Sequence, residues 1–187
     1  MNALNNTFAP IISKALFSIA LLGLPFLGMA QDGWTESFNW KSTFQKTMGA
    51  QTNSTWMLDQ CADADNLFES VDGKSFAIVS SNDFEDVEEL LEEMDAPIVD
   101  GSRTHLLPLG KSQNLGNQTY REEFTGKIAN QNVRLVCISQ WSAQGEGKTV
   151  LMVFTGEVMN SAPVMEANAF ALEMIGNASE MEALSSK

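Results

Sequence analysis

The only histidine of the 187-residue chain, His105, lies in a segment whose alternating pattern predicts a strand, Thr104 to Leu109. A Ser-His-Asp or Cys-His catalyst would have to use this residue. No serine stands in a Gly-x-Ser-x-Gly elbow, and the chain has no glycine-rich phosphate loop, dinucleotide fingerprint or haem-attachment motif. We interpret His105 as an ordinary strand or surface residue. The sequence therefore predicts a non-enzymatic protein, with no catalytic residue and no cofactor.

The chain has two cysteines, Cys61 and Cys137, and neither belongs to a Cys-x-x-Cys pair. With a single histidine they cannot complete a usual zinc set, so we predict no metal site. Two cysteines tend to pair in an oxidising compartment, and a bridge over this separation would constrain the unfolded chain by about 4 kcal/mol. We predict a Cys61–Cys137 disulfide, with two buried thiols as the alternative.

An acidic cluster precedes Gly73. Its members carry side-chain oxygens, the ligands that Ca²⁺ prefers: Asp63, Asp65, Asn66, Glu69 and Asp72. Leu67 stands where an EF-hand needs its third ligand, and the glycine comes too late. Weak cation binding is one interpretation, and the solvated face and end of a helix is the one that we favour.

The segment from Asn82 to Asp95 predicts an amphipathic helix, capped by Asn82 with Glu85 closing a capping box. One face is apolar, and the other is crowded with acids that include Glu88, Glu89, Glu92 and Glu93. Carboxylates three and four positions apart repel one another, so a basic partner would stabilise this helix. These four glutamates are our candidate interaction site; a merely solubilising face is the alternative.

Four tryptophans form a further set of candidates: Trp34, Trp40, Trp56 and Trp141. Tryptophan supplies a large apolar surface, so these residues could line a ligand pocket or an interface. Packing in the core is the commoner use in a domain of this size. The sequence leaves the two interpretations open.

Residues 1–30 predict a cleavable secretory signal peptide. Lys14 precedes an apolar run from Ala15 to Leu24, Pro25 breaks it, and small residues stand at Gly28 and Ala30. The run is shorter than the roughly 20 apolar residues of a membrane span. We therefore predict a mature, extracytoplasmic chain that starts at Gln31 and makes no stable membrane insertion after cleavage.

Composition narrows the choice of partners. The predicted mature chain carries 10 Lys and Arg against 24 Asp and Glu, a net charge of −14. This charge repels phosphate backbones and anionic membranes, so we predict no nucleic-acid partner. It favours cations, basic proteins and solubility.

The residues after the leader predict one α+β domain, 31–187. The aromatic segment 31–51 fits either a helix or a strand, and a helix is predicted from Asn53 or Ser54 to about Ser70. Asp72-Gly73 predicts a turn before a buried strand at 76–79. A last helix is predicted from Ser161, with Pro163 in its first turn.

From Thr104 the apolar period changes to two, which predicts four strands: 104–109, 118–125, 133–141 and 149–155. Leu135 and Cys137 alternate with Val136 and Ile138, so the third of these strands is apolar on both faces and should be central in its sheet. The predicted fold is an antiparallel sheet of about four to five strands layered with helices as a sandwich.

The part of the chain from Gly116 to Ile175 resembles the PsbP-like sandwich of exported bacterial proteins. The resemblance rests on Gly116-Asn117 leading into Tyr120-Arg-Glu-Glu-Phe124-x-Gly126, two further apolar strands and a closing helix. It implies an accessory, chaperone or binding module without a transferable catalytic set.

These observations favour a non-enzymatic exported module that binds a protein or a small apolar ligand. The alternative is a periplasmic inhibitor or immunity protein that neutralises a basic enzyme or toxin, which the charge of −14 and the small size would suit.

Overall fold

The computed structural model describes residues 33–48, 54–101, 103–143, 147–156 and 168–176. They form nine strands and four short helices. In chain order the elements are β1 Trp34–Glu36, α1 Trp40–Met48, α2 Thr55–Ala62, β2 Asn66–Ser70, β3 Ser75–Asn82, α3 Val87–Asp95, β4 Ile98–Asp100, β5 Thr104–Pro108, β6 Gln113–Gly116, β7 Thr119–Ile128, β8 Gln131–Gln140, β9 Gly147–Thr155 and α4, residues 168–176.

All nine strands belong to one antiparallel sheet. Its order is β1-β2-β3-β9-β8-β7-β5-β4, and β6 pairs with the first part of β7 while β5 pairs with its second part. The β7–β8 and β8–β9 pairs join neighbours in the chain, whereas β3 pairs with β9, which lies far from it in sequence. The pairing of β3 with β9 therefore connects the N-terminal and C-terminal parts of the sheet.

Helices cover both faces of the sheet because its central strands are apolar on both sides. On β8, Leu135 and Cys137 lie in a core with α1, α2 and α3, whereas Val136 and Ile138 lie in a second core with α4. The prediction that this strand is central and apolar on both faces is confirmed. The fold is thus a three-layer arrangement of helices, sheet and helix.

The prediction of a four- to five-stranded sheet is wrong, because the sheet has nine strands. The missing strands are short or polar. β4 has three residues, and β6 is exposed throughout. Such strands carry no clear apolar alternation, so a pattern of period two could not reveal them. The architecture is still α+β in kind.

The helix predicted to reach Ser70 ends at Ala62. Met57 and Cys61 are buried on it as expected, but Phe68 lies on β2 and Val71 is 75% exposed at the hairpin that follows. Ala64, Phe68 and Val71 have the same three- to four-residue spacing as Met57 and Cys61, although they do not belong to the helix, and this coincidence extended the predicted helix too far. The predicted Asp72-Gly73 turn joins β2 to β3, and the predicted strand 76–79 is the middle of β3.

The close approach of the β5 and β7 backbones explains why position 126 is a glycine. Gly126 on β7 faces Leu106 on β5, and a Cβ atom at position 126 would lie 2.0 Å from the carbonyl oxygen of His105. Because that oxygen belongs to the backbone, only glycine lets β5 and β7 pair here at normal spacing.

Several predicted features lie outside the described residues: the signal peptide 1–30 with the new terminus Gln31, and the start of the last helix at Ser161 and Pro163. Within the described ranges, no helix has the length and apolar composition needed to cross a membrane.

Candidate functional site

A cavity of about 330 Å³ lies between the sheet and the helices α2 and α3. Two helices line one side of the cavity. Helix α3 contributes Leu90, Glu93 and Met94, and helix α2 contributes Trp56 and Gln60. The cavity floor comes from four adjacent strands, β3, β9, β8 and β7. The volume is at the lower end of the range of small-molecule sites, about 300–1,000 Å³.

The strand register makes this floor amphipathic. Ser80, Thr149 and Ser139 are neighbours across β3, β9 and β8 and form a polar row. The next rows along the same face bring in Leu151 with Cys137, and then Leu135 with Phe124. One end of the cavity is therefore polar and the other apolar.

Asn82 closes the polar end. Its Nδ2 donates to Ser139 Oγ (3.0 Å) and Thr149 Oγ1 (2.8 Å) and lies 3.5 Å from the carbonyl oxygen of Gln140. A carbonyl oxygen can only accept, which fixes the orientation of the amide. Oδ1 of Asn82 is consequently a buried acceptor without a hydrogen-bond partner. Such a group costs free energy until a donor reaches it.

Gly147 makes room for this amide. It faces Asn82 across the β3–β9 pair, and a Cβ atom at position 147 would lie 2.1 Å from Asn82 Oδ1 and 2.3 Å from the carbonyl oxygen of Gln140. A larger residue would displace the amide from the polar end of the cavity.

The charged residues of the cavity are all acidic. Asp83 and Glu93 line it and are exposed, so they stand at its mouth, and its lining contains no Lys, Arg or His. Partial burial, and then the carboxylate of Glu89, raise the pKa of Glu93. Burial raises the pKa of the Cys137 thiol to about 12, with further contributions from Glu93 and Glu122. The cavity therefore disfavours negative charge.

Glu122 adds a buried carboxyl group to this face of the sheet. It pairs with Cys137 across β7 and β8 and is 3% exposed. Its Oε1 accepts from the backbone N–H of Glu123 at 2.9 Å, whereas Oε2 is buried without a partner. Two carboxyl groups, one on α3 and one on β7, thus act on the single thiol in the cavity wall.

The structure separates the four glutamates of the acidic helix. Glu88 and Glu92 face outward and line a shallow groove with Leu91, while Glu89 accepts from the backbone N–H of Glu85 at 2.8 Å. Glu93 alone lines the cavity. The helix cap is Asp86, whose carboxylate accepts from the N–H of Glu89, so the predicted cap at Asn82 is wrong: Asn82 ends β3.

The two cysteines are free, buried thiols, Cys61 on α2 and Cys137 on β8. Both belong to the core beneath α1, α2 and α3. Burial also raises the pKa of Cys61 to about 12. Neither thiol is activated as a nucleophile, because reactivity requires the thiolate. The disulfide predicted from the sequence is not formed here and stays a prediction.

The acidic cluster before Gly73 is divided among several local contacts. Asp65 pairs with Lys148 at 3.0 Å, Glu69 with Lys46 at 3.1 Å, and Asp72 accepts from Ser70 Oγ at 2.6 Å. Burial alone would raise the pKa of Asp65, but hydrogen bonds from Lys148 and Ser81 outweigh it and lower the pKa. No group of three or more His, Cys, Asp or Glu in the described ranges is placed to hold a metal ion.

His105 lies on β5 and is exposed, opposite Val99 and Lys127 and away from the cavity.

The tryptophans were candidates either for the core or for a ligand pocket, and the structure contains examples of both. Trp34 is buried and stacks on Phe170 with ring centres 4.8 Å apart, whereas Trp56 lines the cavity. Trp141 is half-buried and donates to the carbonyl oxygen of Phe84 at 3.2 Å. The side chain of Trp40 lies outside the described part.

Sequence reasoning missed most of the cavity. The sequence pattern predicts a helix cap at Asn82, ends the buried strand before Ser80, and marks Ser139 and Thr149 only as strand residues. One signal was available: a polar Ser139 interrupts the apolar face that Leu135 and Cys137 define.

No family profile, curated protein or solved structure matches this chain.

Proposed function

We propose that the protein is an exported, non-enzymatic binding module that holds a small, largely apolar ligand between α3 and the sheet. The observation that carries this proposal is the amphipathic cavity of about 330 Å³. A well-formed cavity with apolar walls and a few convergent polar groups is the usual form of a small-molecule site.

The distribution of chemical groups supports binding rather than catalysis. Both thiols have raised pKa values, and the only histidine lies away from the cavity. The apolar side chains of Trp56 and Ile98, which line the cavity and are half-buried, supply area for a hydrophobic body. The resemblance to PsbP-like sandwiches implies the same class of function, and it stays a prediction, as does the extracytoplasmic location.

The cavity can be blocked by one substitution with a matched control. Ile98 on β4 lines the cavity and is half-buried, while its neighbour Val99 is 58% exposed on the opposite face of the same strand. We expect the unmodified protein to bind the neutral dye N-phenylnaphthylamine saturably, with a rise in dye fluorescence. Ile98→Trp should weaken this binding at least about tenfold, and Val99→Trp should leave it unchanged.

Equal dye binding by both tryptophan variants, or no saturable binding by the unmodified protein, would contradict the proposal. Circular dichroism on each variant separates a blocked cavity from a protein that has lost its fold.

A second candidate function uses the outer face of α3. Glu88 and Glu92 are exposed there, and the last turn of the helix has no basic residue to offset its acids. This surface suits a basic enzyme or toxin that the protein would neutralise. A complex that weakens steeply with added salt and with Glu88→Gln plus Glu92→Gln would favour this function.

A further inference from the structure

The mouth of the cavity presents carboxylates that have no salt-bridge partner among the described residues. Asp83 and Glu93 both line the cavity, are exposed, and form no salt bridge with any described residue. Asp83 stands beside Asn82 in the same lining. A ligand that brings cationic N–H donors would form charge-assisted hydrogen bonds with these carboxylates.

The charge of the site narrows the ligand class further. An anionic ligand would approach the two carboxylates at the mouth, Asp83 and Glu93, with no cationic side chain in the lining to balance them. A cation would meet opposite charge on each of these groups. The protein as a whole reinforces this preference, since its net charge is −13.

We propose that the ligand of this cavity is an organic cation, an ammonium group carried on an apolar body. This inference rests on the proposed binding function. The apolar body packs on Trp56 and Ile98, which line the cavity and are half-buried, and the ammonium group lies toward the mouth, where its N–H groups donate to the Asp83 and Glu93 carboxylates.

Displacement of bound N-phenylnaphthylamine tests the head group directly. Octylamine, octanol and octanoate share one alkyl chain and differ only in whether the head is cationic, neutral or anionic at neutral pH. We expect octylamine to displace the dye at a concentration about tenfold lower than octanol does, and octanoate to be the weakest.

A pair of double variants assigns the preference to named residues. Asp83→Asn with Glu93→Gln should bring the ratio between octylamine and octanol to about one. Glu88→Gln with Glu92→Gln removes the same charge from the outer face of α3 and should keep the tenfold ratio, apart from a small long-range effect.

The following results overturn the inference. Octanoate displacing the dye as well as octylamine does would show that charge is not selected. An equal loss of preference in both double variants would show that net charge alone acts. If the unmodified protein binds no dye, the proposed function fails together with the inference; if it binds the dye without head-group preference, only the inference fails.

Discussion

Glu123 joins two strands on the sheet face that α4 partly covers. Its carboxylate forms salt bridges with Arg121, its neighbour on β7, and with Arg134 on β8, whose Nε lies 2.6 Å from Oε2. Arg121 also donates from Nε to Asn168 of α4 at 2.9 Å. Burial alone would raise the pKa of Glu123, but the hydrogen bonds and charges of the two arginines outweigh it and lower the pKa.

This pKa shift predicts how stability depends on pH. A carboxyl group whose pKa is lowered by folding stabilises the protein above its ordinary pKa, 4.5, and the contribution is lost as the pH falls through the folded value. We expect Glu123→Gln to cost about 2 kcal/mol near neutral pH, since the cluster is only partly desolvated. The cost should shrink as the pH falls below about 4.5.

Urea denaturation of both proteins across this pH range measures the effect. Glu173→Gln is the control, because Glu173 is exposed on α4 and forms no salt bridge with a described residue. A cost for Glu123→Gln that stays constant down to about pH 3 would contradict the explanation by linkage.

At the scale of the element, α3 depends on its first turn. Asp86 caps it, and Glu88 and Glu89 lie in the first turn, where the helix dipole favours negative charge. At the other end Glu92, Glu93 and Asp95 oppose the dipole, and no basic residue lies in the last turn. Leu90 and Met94, both buried, hold the helix against the sheet.

We expect Asp86→Ala to lower the free energy of unfolding by about 1 kcal/mol, because the N–H of Glu89 loses its acceptor. Asp86→Asn should be close to neutral, since asparagine caps a helix about as well as aspartate. Chemical denaturation checks both variants. Equal losses in the alanine and asparagine variants would show that charge, rather than the cap hydrogen bond, is what Asp86 contributes.

At the scale of the whole molecule, both cysteines lie in the core beneath α1, α2 and α3, on elements far apart in sequence. As free thiols with raised pKa values they should resist iodoacetamide in the folded protein at neutral pH. If the thiols stay free as they are in this structure, two thiols per chain react once the protein is unfolded in denaturant without reductant. The disulfide predicted from the sequence would instead leave none until reductant is added, and mass spectrometry distinguishes the two results.

Elements whose residues interact locally could be predicted from the amino-acid pattern alone. β8 was predicted because apolar residues alternate on both of its faces, α3 because its apolar residues recur at helical spacing, and the Asp72-Gly73 turn because of its residue types. Each signal arises from neighbours along the chain, so it is visible without the fold.

The number of strands and the position of the site depend instead on contacts between distant parts of the chain. β1, β2, β4 and β6 are strands because the neighbouring strands of the sheet complete their hydrogen bonds, and this pairing leaves little trace in their own residues. The cavity is formed because pairing of β3 with β9 brings Asn82 beside Gly147 and Thr149. Contacts between residues more than 60 positions apart follow from strand register, which no local spacing encodes.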